Sequence, residues 1–113
     1  MQGKEAVYGP QESTDVQTIL GDVFDMKCFR TAAYTLFNED ETNEVEYEIF
    51  ASDDGGVTWD NFNSGYLSPG EMISETLQTA EWDIIRHTHL KIEIVSLIPG
   101  TPAAARCVFY AFP

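Results

Sequence analysis

Two histidines, His87 and His89, are the side chains whose type and spacing best suit metal chemistry. Residues two apart on a β-strand point to the same face of the sheet, so both imidazoles could bind one metal ion. An acidic residue, Glu93, and a glycine, Gly100, follow on the same stretch of chain. These residues raise the hypothesis of a metal site carried by a strand, which needs further ligands from the rest of the sequence.

The spacing of His87, His89, Glu93 and Gly100 resembles part of the first cupin motif, H-x-H-x₃-E-x₆-G. Cupins place a glycine six residues before the first histidine, where this chain has Glu81. Their second motif supplies a further histidine, whereas this chain contains only 2 histidines in all. We therefore interpret the pair as ordinary strand histidines and predict neither a metal nor a cofactor.

A second candidate is the segment 52–59, Ser-Asp-Asp-Gly-Gly-Val-Thr-Trp, which fits the pattern S-x-D-x-G-x-T-W. It resembles the Asp-box, a hairpin motif of sialidase-type propellers and of many unrelated β domains. An aspartate in such a turn accepts backbone N–H bonds, and glycine adopts positive φ without strain. A calcium site on Asp53 and Asp54 is the alternative, but the loop lacks the long series of spaced oxygen ligands that calcium loops have. The resemblance implies a structural turn formed by Ser52, Asp54, Gly56, Thr58 and Trp59.

Patterns of catalytic residues are otherwise missing from the sequence. No serine lies in a G-x-S-x-G context, and neither a G-x-G-x-x-G nor a P-loop motif occurs. Acidic residues are so numerous that any chosen pair of carboxylates is uninformative. The sequence therefore predicts a protein that is not an enzyme.

Length and charge narrow the class of protein. The 113 residues suffice for one small domain, and 43% hydrophobic with 12% aromatic residues can form a packed core. Nineteen acidic residues against six basic ones give a net charge of −13, which argues against binding to nucleic acid or to an anionic membrane. The first ten residues lack the apolar core of a signal peptide, so we expect synthesis in a cytoplasm.

Short apolar runs separated by turn residues indicate an all-β domain. The clearest strand is 44–51, where Val45, Tyr47 and Ile49 alternate with Glu44, Glu46 and Glu48 and so give one buried and one anionic face. Residues 1–14 show no periodicity and are interpreted as an extended arm. The predicted strands are 15–20, 23–29, 31–37, 44–51, 57–62, 71–78, 82–87, 89–98 and 103–112.

This number of short strands in one small domain predicts a two-sheet β-sandwich over residues 15–113, preceded by the arm 1–14. Jelly-roll and immunoglobulin-like connectivities both remain open at this point. The cysteines Cys28 and Cys107 show no CxxC spacing, so we expect buried free thiols, with a disulfide between two strands as the alternative.

Charge and apolar residues are unevenly distributed along the chain. Between Thr31 and Ile85 there is no Lys or Arg, although this stretch holds 13 of the 19 acidic residues. The last predicted strand, 103–112, is apolar on both faces apart from Arg106. Because a partner sheet covers only one face, the other must be covered by the arm, a second subunit or a partner protein, or else form an exposed apolar patch.

The layout of the chain resembles that of small β-sandwich decoration or cement proteins on tailed-phage heads. The residues that carry this resemblance are 34–38, 47–59 and 67–71, within a region of roughly 23–112. It implies a structural virion protein that clamps neighbouring major capsid protein subunits on the outer capsid surface, forms a dimer or trimer, and is made in the host cytoplasm. The candidate contact residues are Val7, Tyr8, Pro10, Phe109, Tyr110 and Phe112.

A carbohydrate-binding or adhesive module is the alternative function. Such sandwiches bind sugars on exposed aromatic rings, and four aromatic residues of this chain are candidates for that platform. They are Trp59, Phe62, Tyr66 and Trp82.

Overall fold

The computed structural model describes residues 2–27, 29–78 and 87–113. These residues contain no helix, and so none that is long and apolar enough to cross a membrane. They form strands β1 (Lys4–Glu12), β2 (Thr18–Ile19), β3 (Phe24–Asp25), β4 (Thr31–Asn38), β5 (Val45–Ser52), β6 (Asp60–Leu67), β7 (Met72–Gln78), β8 (His89–Ser96) and β9 (Ala104–Phe112).

The strands form two antiparallel sheets that pack face to face. Sheet A has the order β1-β9-β4-β7, and sheet B has the order β2-β8-β5-β6, with β3 also paired to β8. The first and last strands are neighbours, and the chain crosses between the sheets in the order of a jelly roll, with only β2–β3 and β5–β6 as consecutive strands of one sheet. The predicted all-β sandwich is confirmed, and of the two connectivities left open the chain adopts the jelly roll.

Alternation of apolar and polar residues decides which side chains form the core. In β4 the buried residues are every second one, including Tyr34 and Leu36, and in β8 they are Leu90, Ile92 and Ile94. Full burial of a side chain of this size contributes roughly 1.5–3 kcal/mol to the free energy of folding. The core therefore lies between the sheets, and the residues that alternate with the buried ones point to the outer faces of the sheets.

The prediction of an N-terminal arm over residues 1–14 needs correction. Lys4–Glu12 forms strand β1 at the edge of sheet A. Its Tyr8 packs edge to face on Phe109 with ring centroids 5.8 Å apart. Lys4 reaches the opposite sheet, where its ammonium donates to the Asp25 carbonyl at 2.8 Å. The segment shows no periodicity in sequence because an edge strand needs only a few inward residues.

Three other predicted strands differ clearly from the structure, and one of them, 23–29, shrinks to β3, Phe24–Asp25. Strand β6 begins at Asp60 rather than residue 57, because the Val57 and Thr58 N–H groups donate to Asp54. The predicted strand 15–20 shrinks to Thr18–Ile19, since the Thr14 hydroxyl turns the chain by bonding to the carbonyl of Val16. Most of the predicted strand 82–87 lies outside the described residues.

One end of the sandwich is closed by a buried amide. Asn38, at the end of β4, donates to the carbonyls of Asn43 and Leu67, each at 2.9 Å. The side-chain carbonyl oxygen of Asn38 accepts a hydrogen bond from the Asp40 N–H at 2.9 Å. A single side chain thus ties the ends of β4 and β6 to the loop before β5.

Candidate docking surface

The outer face of sheet A exposes several large apolar side chains. Two outward residues of β9 have outward neighbours on both β1 and β4: Val108 lies between Val7 and Thr35, and Tyr110 lies between Glu5 and Ala33. Val7, Met72 and Phe112 on this face are 51%, 55% and 45% exposed. The apolar residues of the face are Val7, Ala33, Phe37, Met72, Val108, Tyr110 and Phe112.

Charge on this face is confined to its margins. The Arg106 guanidinium lies 4.2 Å from the centre of the Phe37 ring and donates to the Glu39 carboxylate at 2.5 Å. Its charge is therefore paired within the chain, and the outward row of β1 carries two acidic residues, Glu5 opposite Tyr110 and Glu12 opposite Ala104. The centre of the face carries hydroxyl groups instead, with the Thr35 and Ser74 oxygens 2.8 Å apart.

The outer face of sheet B has the opposite character. Glu46, Glu48 and Glu93 point outward from β5 and β8, and Glu48 lies directly opposite Glu93. Lys91 lies among them, with its ammonium 2.8 Å from the Glu93 carboxylate and 4.6 Å from the centre of the Trp59 indole. The molecule therefore has one acidic sheet face and one nearly neutral, apolar sheet face.

The six predicted contact residues divide between the two sides of sheet A. Val7, Tyr110 and Phe112 are on the outer face, where the Tyr110 and Phe112 rings stack with centroids 6.3 Å apart. Tyr8 and Phe109 point into the sandwich instead, which removes them from the docking surface. This correction follows from strand geometry, because adjacent residues of a strand point to opposite faces.

Pro10 follows a cis peptide bond at the outer edge of β1, where the register with β9 shifts between Tyr8 and Gln11. It is exposed at the margin of sheet A rather than on its face. The sequence interpretation missed Phe37 and Met72, which belong to the face through β4 and β7. Both are apolar residues at outward positions of their strands. They can be assigned to this face only when the strand order is known.

The turn between β5 and β6 is organised around the Asp54 carboxylate. One carboxylate oxygen accepts from the N–H groups of Val57 (3.1 Å) and Thr58 (2.9 Å) and from the Ser52 hydroxyl at 2.7 Å. The other accepts from the Thr58 hydroxyl at 2.5 Å. These bonds, led by those from Thr58, lower the pKa of Asp54 to about 2.

Other residues fix this turn to the body of sheet B. The Ser52 hydroxyl accepts from the Gly56 N–H at 2.9 Å, and the Thr88 hydroxyl accepts from the Gly55 N–H at 3.1 Å. Both glycines have positive φ. Trp59 starts the return toward β6 and lies against Lys91, so its side chain is part of the packing of this sheet face.

The two histidines do not share one environment. His89 contacts the Thr88 hydroxyl through Nδ1 at 2.9 Å, and its Nε2 lies 3.8 Å from the Asp25 carboxylate. His87 precedes β8 and has a buried Nδ1 without a hydrogen-bond partner among the described residues. Across residues 2–27, 29–78 and 87–113, no group of three or more His, Cys, Asp or Glu side chains could hold a metal ion.

The proposed aromatic platform for sugars is divided between two surfaces. The Phe62 ring packs edge to face on the core residue Tyr34, with centroids 6.3 Å apart. Tyr66 lies on the outer face of sheet B opposite Glu46, and Trp59 is covered by Lys91. The fourth residue, Trp82, lies outside the described residues.

Cys107 is a free thiol buried in the core on the inner side of β9. Burial raises its pKa to about 12, so the thiolate is strongly disfavoured at neutral pH. The other cysteine, Cys28, lies outside the described residues.

Comparisons with known proteins identify the fold and no family. No protein-family model matches the sequence, and no curated protein is significantly similar to it. The Asp-box resemblance therefore rests on its eight residues alone.

Several solved structures share the architecture. A chain from the disulfide-linked pili of Bacillus endospore appendages has a TM-score of 0.63 at 14% identity, covering 98% of this chain and 86% of that one. A chain of infectious bursal disease virus, Gx strain, has a TM-score of 0.51 at 12% identity, covering 99% of this chain and 32% of that one. The SPBc2 prophage-derived protein YomS has a TM-score of 0.48 at 14% identity, covering 97% and 96% of the two chains. At these identities the first two similarities establish the β-sandwich fold alone.

Proposed function

We propose that this chain is a structural virion protein that decorates and stabilises a tailed-phage capsid. It seats the outer face of sheet A on neighbouring major capsid protein subunits and turns its acidic sheet B face to solvent. The mechanism is passive, because burial of apolar surface at many symmetry-related sites adds stability to the shell without any chemical step. The protein is made in the host cytoplasm and ends on the outer capsid surface.

The observation that carries this proposal is the contrast between the two sheet faces. Val7, Met72 and Phe112 expose apolar surface on a face whose Arg106 is already paired with Glu39. Several exposed apolar side chains on one sheet face of a small domain favour an interaction site there. The acidic face repels nucleic acid, which is packaged inside a capsid, so an outward orientation fits the net charge of −13.

Two further observations support the same role. Jelly rolls are a frequent architecture of viral capsid and lectin domains, and the strand order of this chain is that of a jelly roll. The sequence also carries the strand and turn pattern by which it resembles phage decoration proteins, from Tyr34 to Glu71. Neither the turn around Asp54 nor the buried Cys107 offers a reactive group that would favour an enzyme.

The test is reconstitution on capsids that lack the protein. We expect the purified chain to co-sediment with such capsids and to raise their melting temperature. Val7→Glu and Phe112→Glu place a charge on the sheet A face and should weaken binding at least about tenfold, since a buried unpaired carboxylate is costly. Val57→Glu is the matched control, because Val57 is 80% exposed in the turn between β5 and β6.

Wild-type binding by both face variants would contradict this docking surface, provided that circular dichroism shows all three variants folded. Equal loss in the Val57→Glu control would point to the turn instead. Binding of the wild-type chain to a glycan array, without binding to capsids, would replace the proposal with the carbohydrate-binding alternative.

A further inference from the structure

The edge strands of the two sheets differ in how they are protected against pairing with another chain. β1 carries Lys4, Pro10 and a register shift, and β2 and β3 are only 2 residues each. β6 begins with Asp60 and has a register shift opposite Ile49 and Phe50. Charges, proline, bulges and short length are the usual devices that block edge-to-edge association.

Strand β7 carries only one such device, an inward-pointing charge, and has neither charge nor proline at its outward positions. All 7 of its residues pair with β4 in continuous register, and no described residue pairs with its other edge. Its outward residues Met72, Ser74 and Thr76 are uncharged. Its one charged residue, Glu75, points inward and accepts hydrogen bonds from the Tyr34 hydroxyl (2.8 Å) and the Asn63 amide.

We propose that β7 pairs antiparallel with β7 of a second copy of this chain, about a two-fold axis at Ser74. The inference deepens the proposed function, on which its biological meaning rests, by naming a partner of sheet A. Such pairing supplies hydrogen bonds to the open edge and joins two sheets of four strands into one of eight.

A two-fold axis normal to the sheet relates antiparallel neighbours and leaves both outer faces on the same side. From strand spacing and rise, the outer face of one sheet A covers on the order of 500 Å². A stable interface usually buries about 800 Å² on each partner, so one copy alone presents a small docking face. Two copies joined through β7 present a continuous face of about 1,000 Å², which exceeds that requirement.

The acidic residues on the outer face of sheet B disfavour pairing through that face and so favour pairing through β7. Approach through the sheet B faces would bring Glu46, Glu48 and Glu93 of two copies together. Centring the pair on Ser74 places Met72 opposite Thr76 on the outer row and keeps the two Glu75 residues out of direct opposition. Directly opposed like charges destabilise a strand pair.

Disulfide trapping tests the contact. Residues opposite each other on antiparallel strands have Cα atoms about 4.5–5.5 Å apart, within the range that a disulfide spans. In a Cys28→Ser background, Ser74→Cys should form covalent dimers under mild oxidation at least about tenfold faster than Ser64→Cys. Ser64 is the matched control, because it is an exposed serine on β6, the edge strand of sheet B.

Sedimentation of the full chain gives a second readout. We expect a wild-type dimer at micromolar concentration, and a monomer for Ser74→Lys, which sets two ammonium groups against each other at the axis. Equal trapping rates for the two cysteine variants, or a monomeric wild type, would overturn the inference. Dimers that persist in Ser74→Lys but dissociate in Phe112→Glu would overturn it in favour of packing between sheet A faces.

Capsid binding separates this inference from the proposed function. If the wild-type chain co-sediments with capsids but remains a monomer, the result supports the docking surface and contradicts the β7 contact. If a dimer is trapped through position 74 but does not bind capsids, the result supports the β7 contact and contradicts the proposed capsid role.

Discussion

The Asp54 carboxylate receives both donors of Thr58, the backbone N–H at 2.9 Å and the hydroxyl at 2.5 Å. Thr58 lies four positions after Asp54, so these bonds are local to the turn between β5 and β6. The position of this turn determines where β6 starts, and therefore which residues of β6 lie opposite β5. A local constellation thus fixes the register of one edge of sheet B.

Replacing Asp54 with Asn should lower the melting temperature by a few degrees at pH 7, because an amide cannot accept all the bonds that the carboxylate accepts. Asp53→Asn is the matched control, since Asp53 accepts none of these bonds. The pKa of Asp54 is lowered to about 2, below that of an unfolded aspartate, so its contribution to stability is present above about pH 4.

This contribution is lost as the pH falls from about 4 through about 2, where the folded carboxylate gains its proton. Urea denaturation of wild type and Asp54→Asn across this range should show the two stabilities converging. A difference that stays constant down to pH 2 would contradict the role of the ionised carboxylate.

Asn38→Ala should destabilise the fold by about 2–4 kcal/mol, because it leaves the carbonyls of Asn43 and Leu67 without their buried donor. Asn61→Ala is the control: its amide bonds to Glu48 at an exposed position, so we expect a loss below about 0.5 kcal/mol. Urea unfolding measures both changes. Equal effects of the two substitutions would show that Asn38 does not tie the strand ends as described.

Phe109 and Phe112 should respond in opposite ways to truncation, although both belong to β9. Phe109→Ala removes a ring that is fully buried and stacked on Phe24 at 5.1 Å, so we expect a loss of about 3–5 kcal/mol. Phe112→Ala should cost less than about 1 kcal/mol and should weaken assembly instead. Thermal unfolding, measured beside capsid co-sedimentation, separates the two roles, and a large stability loss in Phe112→Ala would contradict them.

Cys107 should resist thiol reagents in the folded protein. Its raised pKa of about 12 and its burial predict alkylation at pH 8 at least about 100-fold slower than in the unfolded chain. Mass spectrometry of a Cys28→Ser variant, with iodoacetamide added in the presence and absence of urea, measures both rates. Rapid alkylation of the folded variant would show that the inner side of β9 opens.

Local signals carried much of the fold. The alternation of Val45, Tyr47 and Ile49 with glutamates predicted β5 and its buried side, because a period of two is a property of any strand with one wet face. The turn residues of 52–59 also predicted a structural turn, since the bonds to the Asp54 carboxylate join residues at most four positions apart. The apolar character of β9 on both sides was visible in the same way.

Pairing over long sequence distances was not predictable. Lys4–Glu12 carries few apolar residues and becomes a strand only because β9 offers its edge, about a hundred residues later in the chain. The predicted strand 57–62 missed the second half of β6, residues 63–67, because Asn63 and Gly65 are turn residues that an edge strand tolerates.

The sequence by itself determined an acidic all-β domain with a two-sided apolar last strand, because composition and period are local properties. Only the tertiary structure decided that Val7, Met72 and Phe112 share one face, while Phe109 and Tyr8 belong to the core. That assignment depends on which strands become neighbours. Strand order is set by the free energy of packing two whole sheets together, and no segment of the chain carries it alone.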